Sequence, residues 1–581
     1  MKTIALSALL SVSMGLAGIT PANAKGDKFE YLPGDFHQHS LYTDGGRPFF
    51  EIMRQNDMYG LDWWANSEHG GNRNRDGVGK YWDEYTDELG NPANPILGDL
   101  SMSGGHQEMW RWQSLRDYVY PDIKMVRDVL PHRTVISGLE WNVPGHEHCS
   151  TAINQYNDTA TAISEFEFRF DKNDWDTSRN GEASLVYPEL GNVLSKTNST
   201  KDDAILAVIW MQAMKDAGLG DAWVVPAHVE RAWSYTIEDF RNWMDAGPDV
   251  AIGFEGAPGH QTSSDRGFGR GSLGGGTYGG TGFYASTVGG LWDGLLAEGR
   301  KFWHFASSDY HWHWGDGGSD FWPGEYQKTY TYINTEAKDK IQAVIDGNRS
   351  GNTWTVQGDL IDELEFTAKD TGKPAMMGQT LEVKKGKAVT IKIKVHDPET
   401  PNFCPFDFNN PSLEQVGINQ PLNMPVLDHV DVIAGTITGK VPMTVFDAEG
   451  YPDPGATDYG TDARVIHTFK RRSNDKRYLV YTMRIRPTED MYIRLRGTNL
   501  PANVPYETDV LGNPLADSEA NDNIYEPMET EEDGYNGLTN KRLNLYLNDD
   551  LRISEINKLD DVVEAYADLW FYSNPIFIKV K

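Results

Sequence analysis

Gly34-Asp35-Phe36-His37-Gln38-His39-Ser40-Leu41-Tyr42-Thr43-Asp44-Gly45 is the stretch whose reading decides the fold of this 581-residue chain. In an extended strand the side-chain period is two, so His37 and His39 share a face and both imidazoles reach one ion. Asp44 follows at an Asp-Gly turn. One His-x-His pair is weak evidence for a metal, but four more segments repeat the design of an apolar run followed by ligands. Leu61 to Gly70 ends in Glu68-His69. Val135 to Asn142 carries Glu140, with Gly145-His146-Glu147-His148 behind it, and a carboxylate at the end of a buried strand must be paired or coordinate a metal. Trp223 to His228 ends in a histidine, and Phe305 to His311 ends in Asp309 and His311, again on one face.

Strands are expected at 134–139, 222–227, 250–255 and 302–307, alternating with helices at 202–217 and 287–299, the rhythm of a parallel α/β barrel or sheet. Residues at the C-terminal ends of successive parallel strands converge on one face of a barrel. Imidazoles mixed with carboxylates suit Zn, Mn or Fe, and the absence of thiolates argues against a structural zinc.

In this order and spelling the segments resemble the PHP superfamily (polymerase and histidinol phosphatase) over about residues 33–315. The resemblance implies a distorted (β/α)7 barrel holding two or three divalent ions, and a phosphoesterase acting on a phosphomonoester or phosphodiester. By that analogy His37, His39, Glu140 and Asp309 hold a first ion. Glu140 bridges to a second, also held by His148 and His228, and Asp44, His69 and His311 take a third. His146 and His148 both suit the middle position; His148 is preferred because it opens the alternating run into Ser150 and Ala152. The sequence departs from the family at Ala227-His228-Val229-Glu230, where Ala-His-Pro is usual, and at Asp44, a position often occupied by His.

Two ions sharing a carboxylate hold a bridging hydroxide and clamp both oxygens of an in-line displacement. Glu140, His228 and Asp309 are therefore the catalytic candidates. Arg47, Arg73, Arg231, Arg270 and His146 are candidates for substrate contact, and His260 and His313 have no assigned role. Two rival readings keep the metals. One is hydrolysis of a carboxylic ester, lactone or amide; the other is a non-catalytic binding protein using a mouth of Trp63, Trp64, Trp141, Trp233, Trp312 and Trp314. A zincin-type His-Glu-x-x-His motif occurs nowhere in the chain.

Twelve of the 15 His and 17 of the 18 Trp precede position 360, whereas β-branched runs at 388–395, 478–485 and 491–495 follow it. This contrast sets a hydrolase barrel over 25–356 and an all-β, Ig-like sandwich over 357–581. The Gly-rich stretch 257–280, with Ser264, Asp265, Arg266 and Arg270, is expected to be a functional loop over the site. Stretches 447–458 and 516–534 read as acidic loops rather than calcium sites. Cys149 and Cys404 fall in different domains, and a bridge between them is not expected. At the N-terminus Lys2, the apolar run 4–19 and Ala22-Asn23-Ala24 read as a secretory signal cleaved after Ala24, so an exported protein, periplasmic or extracellular, is expected. No later apolar run is long enough to span a membrane. A net charge of −32 disfavours nucleic acid, and the resemblance implies a small-molecule phosphate ester as the partner. No sequence feature assigns an oligomeric state.

Overall fold

The computed structural model describes residues 28–187, 192–263, 266–267, 276–398, 400–439, 460–471, 477–525 and 553–581. The expected leader 1–24, the loop residues Ser264, Asp265 and Arg270, the 447–458 stretch and the end of the 516–534 stretch lie outside them.

Three parallel strands begin the fold: β1 (Phe29–Asp35), β2 (Trp63–Ala65) and β3 (Thr134–Ile136). Trp63, Trp64, Val135 and Ile136 are fully buried, as parallel strands covered on both faces must be. The expected strand at 134–139 breaks at Ser137, and β4 (Gly138–Asn142) continues beyond it. β4 pairs antiparallel with β5 (His148–Gln155), and β5 with β6 (Gly220–Pro226). The link 143–147 is far too short for a parallel crossover, which needs a dozen residues or more. β7 (Gly253–Ala257) and β8 (Trp303–Ala306) are parallel again. Isolated parallel bridges join the pieces at His69–Glu140, Val224–Ala251 and Gln38–Tyr310. The α/β rhythm is present; among the described residues the regular ladders alone do not close into a ring, and only isolated bridges join their ends.

Helix Lys201–Asp216 starts where expected because Thr200 and Asp203 form a reciprocal capping box. Helix Leu291–Ala297 is shorter than its expected span and begins after Gly290. Among the described residues no helix is long and apolar enough to cross a membrane.

β1 also pairs antiparallel with β9 (Gln327–Asn334), and β9 with β10 (Thr353–Gln357). The strand-rich remainder contains β11 (Glu363–Lys369), β12 (Thr380–Val383), β13 (Val389–His396), β14 (His429–Thr436), β15 (Arg464–Lys470), β16 (Tyr478–Ile485), β17 (Met491–Thr498), β18 (Trp570–Ser573) and β19 (Ile576–Val580). It does not form a free-standing all-β sandwich. One sheet runs β12-β19-β17-β18-β10-β9-β1-β2-β3 across the whole molecule, because β18 pairs with β10. A second sheet contains β11, β13 and β16. Phe366, Ile391 and Ile393 from the second sheet share one apolar cluster with Trp354, Ile493, Leu495 and Phe571 from the first. Helix Ile553–Ala567, which the all-β expectation leaves out, contributes Val562, Val563 and Tyr566 to that cluster. Cys149 and Cys404 are buried and unbridged.

Candidate metal centre

The site grows from the ends of β1, β4, β5, β6 and β8. Asp35 closes β1 and locks it to the segment after β8: its carboxylate accepts the amides of His37 and Ser308, each at 2.8 Å. Burial pushes its pKa up to about 7 despite those donors. The His39 amide bonds Tyr310 O, and the Gly46 amide bonds His311 O, so the first and last motifs are stitched together. Glu68 accepts from the Ser40 amide and from the Ser40 and Thr43 hydroxyls, fixing the turn that carries Asp44. Gly45 is required in that turn, because a Cβ there would lie 2.3 Å from His39 O. Arg111, fully buried, donates Nε to the His69 carbonyl.

Around this frame the ligand atoms converge. His37 Nε2 and His39 Nε2 are 3.0 Å apart. Asp309 Oδ1 lies 3.1 Å from the first and 3.2 Å from the second. Glu140 Oε1 stands 3.2 Å from His37 Nε2, and Oε2 stands 3.3 Å from His39 Nε2. On its other side Glu140 meets His148 Nδ1 at 2.8 Å, His228 Nε2 at 3.2 Å and His69 Nδ1 at 2.8 Å. His69 turns its second nitrogen to Asp44 at 3.2 Å, where His311 Nε2 approaches at 3.6 Å and His39 Nδ1 at 3.7 Å.

The structure thus gathers all nine expected ligands, His37, His39, Asp44, His69, Glu140, His148, His228, Asp309 and His311, into adjoining groups able to hold cations. His39 and His69 each face two groups, where the resemblance gave each one ion. Glu147 joins His148 and His228 as a further candidate.

The donor set fits metal better than protons alone. A neutral imidazole has one N–H and one lone pair, so two Nε2 atoms 3.0 Å apart hold at most one shared proton between them. Glu140 Oε2 and Asp309 Oδ1 are buried and satisfied by no well-aligned hydrogen bond, a state that is costly without a cation. An ion with bonds of about 2.1 Å separates neighbouring ligand atoms by about 3.0 Å in six-coordination and about 3.4 Å in four-coordination, the spacing seen here.

The electrostatics agree. Burial opposes charge on His37, yet Asp309, Glu255 and Glu140 outweigh it and hold the imidazole pKa well above its ordinary value. Burial likewise opposes charge on Glu140, and His148, His69 and His37 overcome it, so its pKa lies well below the usual carboxylate range. His148 goes the other way, down to about 4, because burial dominates there.

Several functional positions escape the strand-then-ligand reading. Both oxygens of Glu255 lie 3.1 Å from His37 Nδ1, and Ser150 Oγ donates to Glu255 at 2.6 Å. A carboxylate in that position fixes the ring's tautomer and leaves Nε2 for the site. The rule that selects Glu140 also selects Glu255, an acid closing the apolar run 250–255. His260 Nε2 lies 3.3 Å from Asp309 Oδ2, and its Nδ1 lies 2.6 Å from Asp320. His228, His260 and Asp309 adopt left-handed backbone, with φ of 33°, 59° and 44°. Non-glycine residues hold such angles only where the surroundings impose them, and they cluster at functional sites.

The substrate-contact candidates are placed less uniformly. His146 points to Asp239 at 3.1 Å and stacks on Tyr235, away from Glu140. Arg47 pairs with Asp316, and Arg73 Nε donates to Thr43 O. Arg231 opens a short helix three residues after His228. Trp63, Trp64 and Trp141 are core residues, whereas Trp312, beside His311, is 53% exposed.

No family model and no curated protein matches the chain. It is similar to a solved structure from Bacteroides vulgatus, described as a two-domain protein containing predicted PHP-like metal-dependent phosphoesterase, at 13% identity and a TM-score of 0.30, covering 84% of this chain and 95% of that one.

Proposed function

We propose that the chain is an exported metal-dependent phosphoesterase of the PHP kind, acting on a small-molecule phosphate ester. The observation that carries the reading is Glu140, one buried carboxylate shared by imidazoles on two sides, with Asp309 closing one of them. In this reading the strand ends form a distorted barrel whose ring passes through the three isolated bridges.

His37, His39, Glu140 and Asp309 would hold one divalent ion; His69, His148 and His228, with Glu140 between, a second; Asp44, His69 and His311 a third. Bound there, the ions would supply an activated water and neutralise charge on the phosphate oxygens. Glu255 keeps the His37 lone pair turned inward by accepting a hydrogen bond from Nδ1–H. Asp320 holds His260 against the second oxygen of Asp309, fixing how that carboxylate presents itself. Three adjoining cation positions favour phosphorus over a carbonyl carbon, since a phosphoryl group spreads developing charge over three oxygens and an acyl group places it on one.

Metal quantification on the purified mature protein, coupled to a panel of phosphomonoesters, phosphodiesters and carboxylic esters, tests the proposal. The expected result is at least two bound ions and phosphate-ester hydrolysis that a chelator abolishes and Zn or Mn restores. Turnover confined to carboxylic esters would replace this reading with the acyl one, and bound metal without turnover would leave a binding protein. Secreted material should begin at Lys25.

A further inference from the structure

The metal centre opens to solvent on one side. The side chains of His37, His39 and Glu140 are buried, whereas those of Asp44, His69 and His311 are 38%, 20% and 23% exposed. A ligand therefore enters past the group formed by Asp44, His69 and His311. Trp312 stands at that edge, next to His311 in the chain, and its backbone is clamped. Its amide donates to Asp320 Oδ2 at 2.8 Å, and its carbonyl accepts the Asp320 amide at 3.2 Å. A Cβ on Gly318 would collide with that carbonyl.

The indole lies over the turn that carries Asp44. A Cβ on Gly46 would find Trp312 Cγ and Cδ2 as its nearest atoms, at 3.1 and 3.2 Å, and His311 O next at 3.5 Å. In the plane of the ring those two atoms are shielded by Trp312 Cβ and Cε3, which an in-plane approach would meet first. Gly46 therefore sits against a face of the indole. With one face covered, an exposure of 53% leaves the opposite face open. Among the described residues no other ring and no cation stacks on it. The surrounding rim is short of free polar groups. Gly315, Gly317 and Gly318 carry no side chain, and Arg47 is paired with Asp316. Asp320 is taken up by His260 and by the amides of His311 and Trp312.

We infer that Trp312 sets substrate specificity by stacking its open face on an aromatic ring in the organic part of the ester. The inference rests on the phosphoesterase reading for its link to turnover, though not for binding itself. Two aromatic rings in offset or edge-on contact gain attraction beyond the area they bury. An aromatic ring needs no hydrogen bonds at its edge, which suits an indole bordered by glycines and by side chains already paired. A sugar or a second anionic group would call for placed polar groups or an uncommitted cation beside it.

Calorimetry on the metal-loaded protein with phosphonates, which cannot be hydrolysed, reads binding independently of turnover. The probes are benzylphosphonate, cyclohexylmethylphosphonate and ethylphosphonate. Benzylphosphonate should bind about tenfold more tightly than either of the others. That preference should vanish in Trp312→Ala and survive in Trp312→Phe, with melting temperature and metal content unchanged. In turnover, Trp312→Ala should raise KM for benzyl phosphate about tenfold, keep kcat, and leave ethyl phosphate unaffected. No binding of any phosphonate, a benzyl preference unchanged in Trp312→Ala, or cyclohexylmethylphosphonate bound as tightly as benzylphosphonate would overturn the inference. Trp312-dependent binding of benzylphosphonate without hydrolysis of any phosphate ester would sink the phosphoesterase reading and leave the ring subsite standing.

Discussion

The molecule buries charge in two places, and it solves the problem differently in each. Around Glu140, six imidazoles meet three carboxylates, and Glu140 Oε2 and Asp309 Oδ1 face nitrogens there without an aligned donor. At the other place Arg266, fully buried, reaches Glu564 and Asp568 with Nη1, Tyr326 with Nη2 and Asp517 with Nε, and Glu507 lies close by. There the chain supplies its own cation, one guanidinium among four acids. Burial, partly offset by Arg266, pushes Glu564 and Asp568 well above the carboxylate range, so protons take up the remaining charge. A ligand site and a structural ion cluster are told apart by this difference. In the first the lone pairs converge on a space between side chains; in the second they converge on a side chain.

Four measurements sharpen or break that contrast. The largest effect is expected at Glu140, where Glu140→Gln keeps the shape and removes the shared charge; turnover should fall at least about a thousandfold with the fold intact. Near-normal activity in that variant refutes the bridging role. Next, Arg266→Met removes the only cation that the described residues place in the acidic nest and should cost about 3–5 kcal/mol of stability, read by denaturant unfolding, with metal content per folded molecule unchanged. If metal is lost first, the two places are not independent. Glu255→Gln, which alters the group behind the outer nitrogen of His37 and no candidate ligand itself, should weaken metal affinity by roughly 10–100-fold in competition with a chelator; unaltered affinity would assign Glu255 to packing alone.

The smallest effect concerns pH. Asp560, on helix Ile553–Ala567, is raised to about 7 by burial and by its neighbour Asp561. Between the ordinary carboxylate value and pH 7 the folded state binds a proton that the unfolded chain has lost, so this group's contribution to stability falls as pH rises through that window. Asp560→Asn should therefore gain stability at pH 8 and none at pH 4, read by denaturant unfolding at the two values. An equal gain at both values would trace the effect to packing rather than ionisation.

The Gly-rich stretch illustrates how a sequence expectation divides. It brings His260 to the ligand Asp309, as a loop over the site does, but it turns Arg266 away, into the nest formed with the C-terminal helix. Nothing in the local sequence separates the two fates, because Glu564 and Asp568 lie about 300 residues further on. His146 and His148 divide in the same way. Their spacing of two puts them on one side of the chain, yet His146 precedes β5 and packs on Tyr235, while His148 opens β5 and faces Glu140.

The sequence by itself picked out the candidate ligands and most local elements, because both depend on near neighbours: strand period sets which residues share a face, and capping residues set where helices start. The strand-rich character after 357 follows from composition in the same way. Tertiary structure alone decided that β18 closes on β10, making one sheet of what reads as two domains, and that β4 to β6 run antiparallel. It also decided that Glu255 stands behind His37 and that Trp312 rather than Trp63 or Trp141 faces outward. Each of these depends on which distant surfaces bury one another, and side-chain pattern specifies how much of a surface is apolar without specifying its partner.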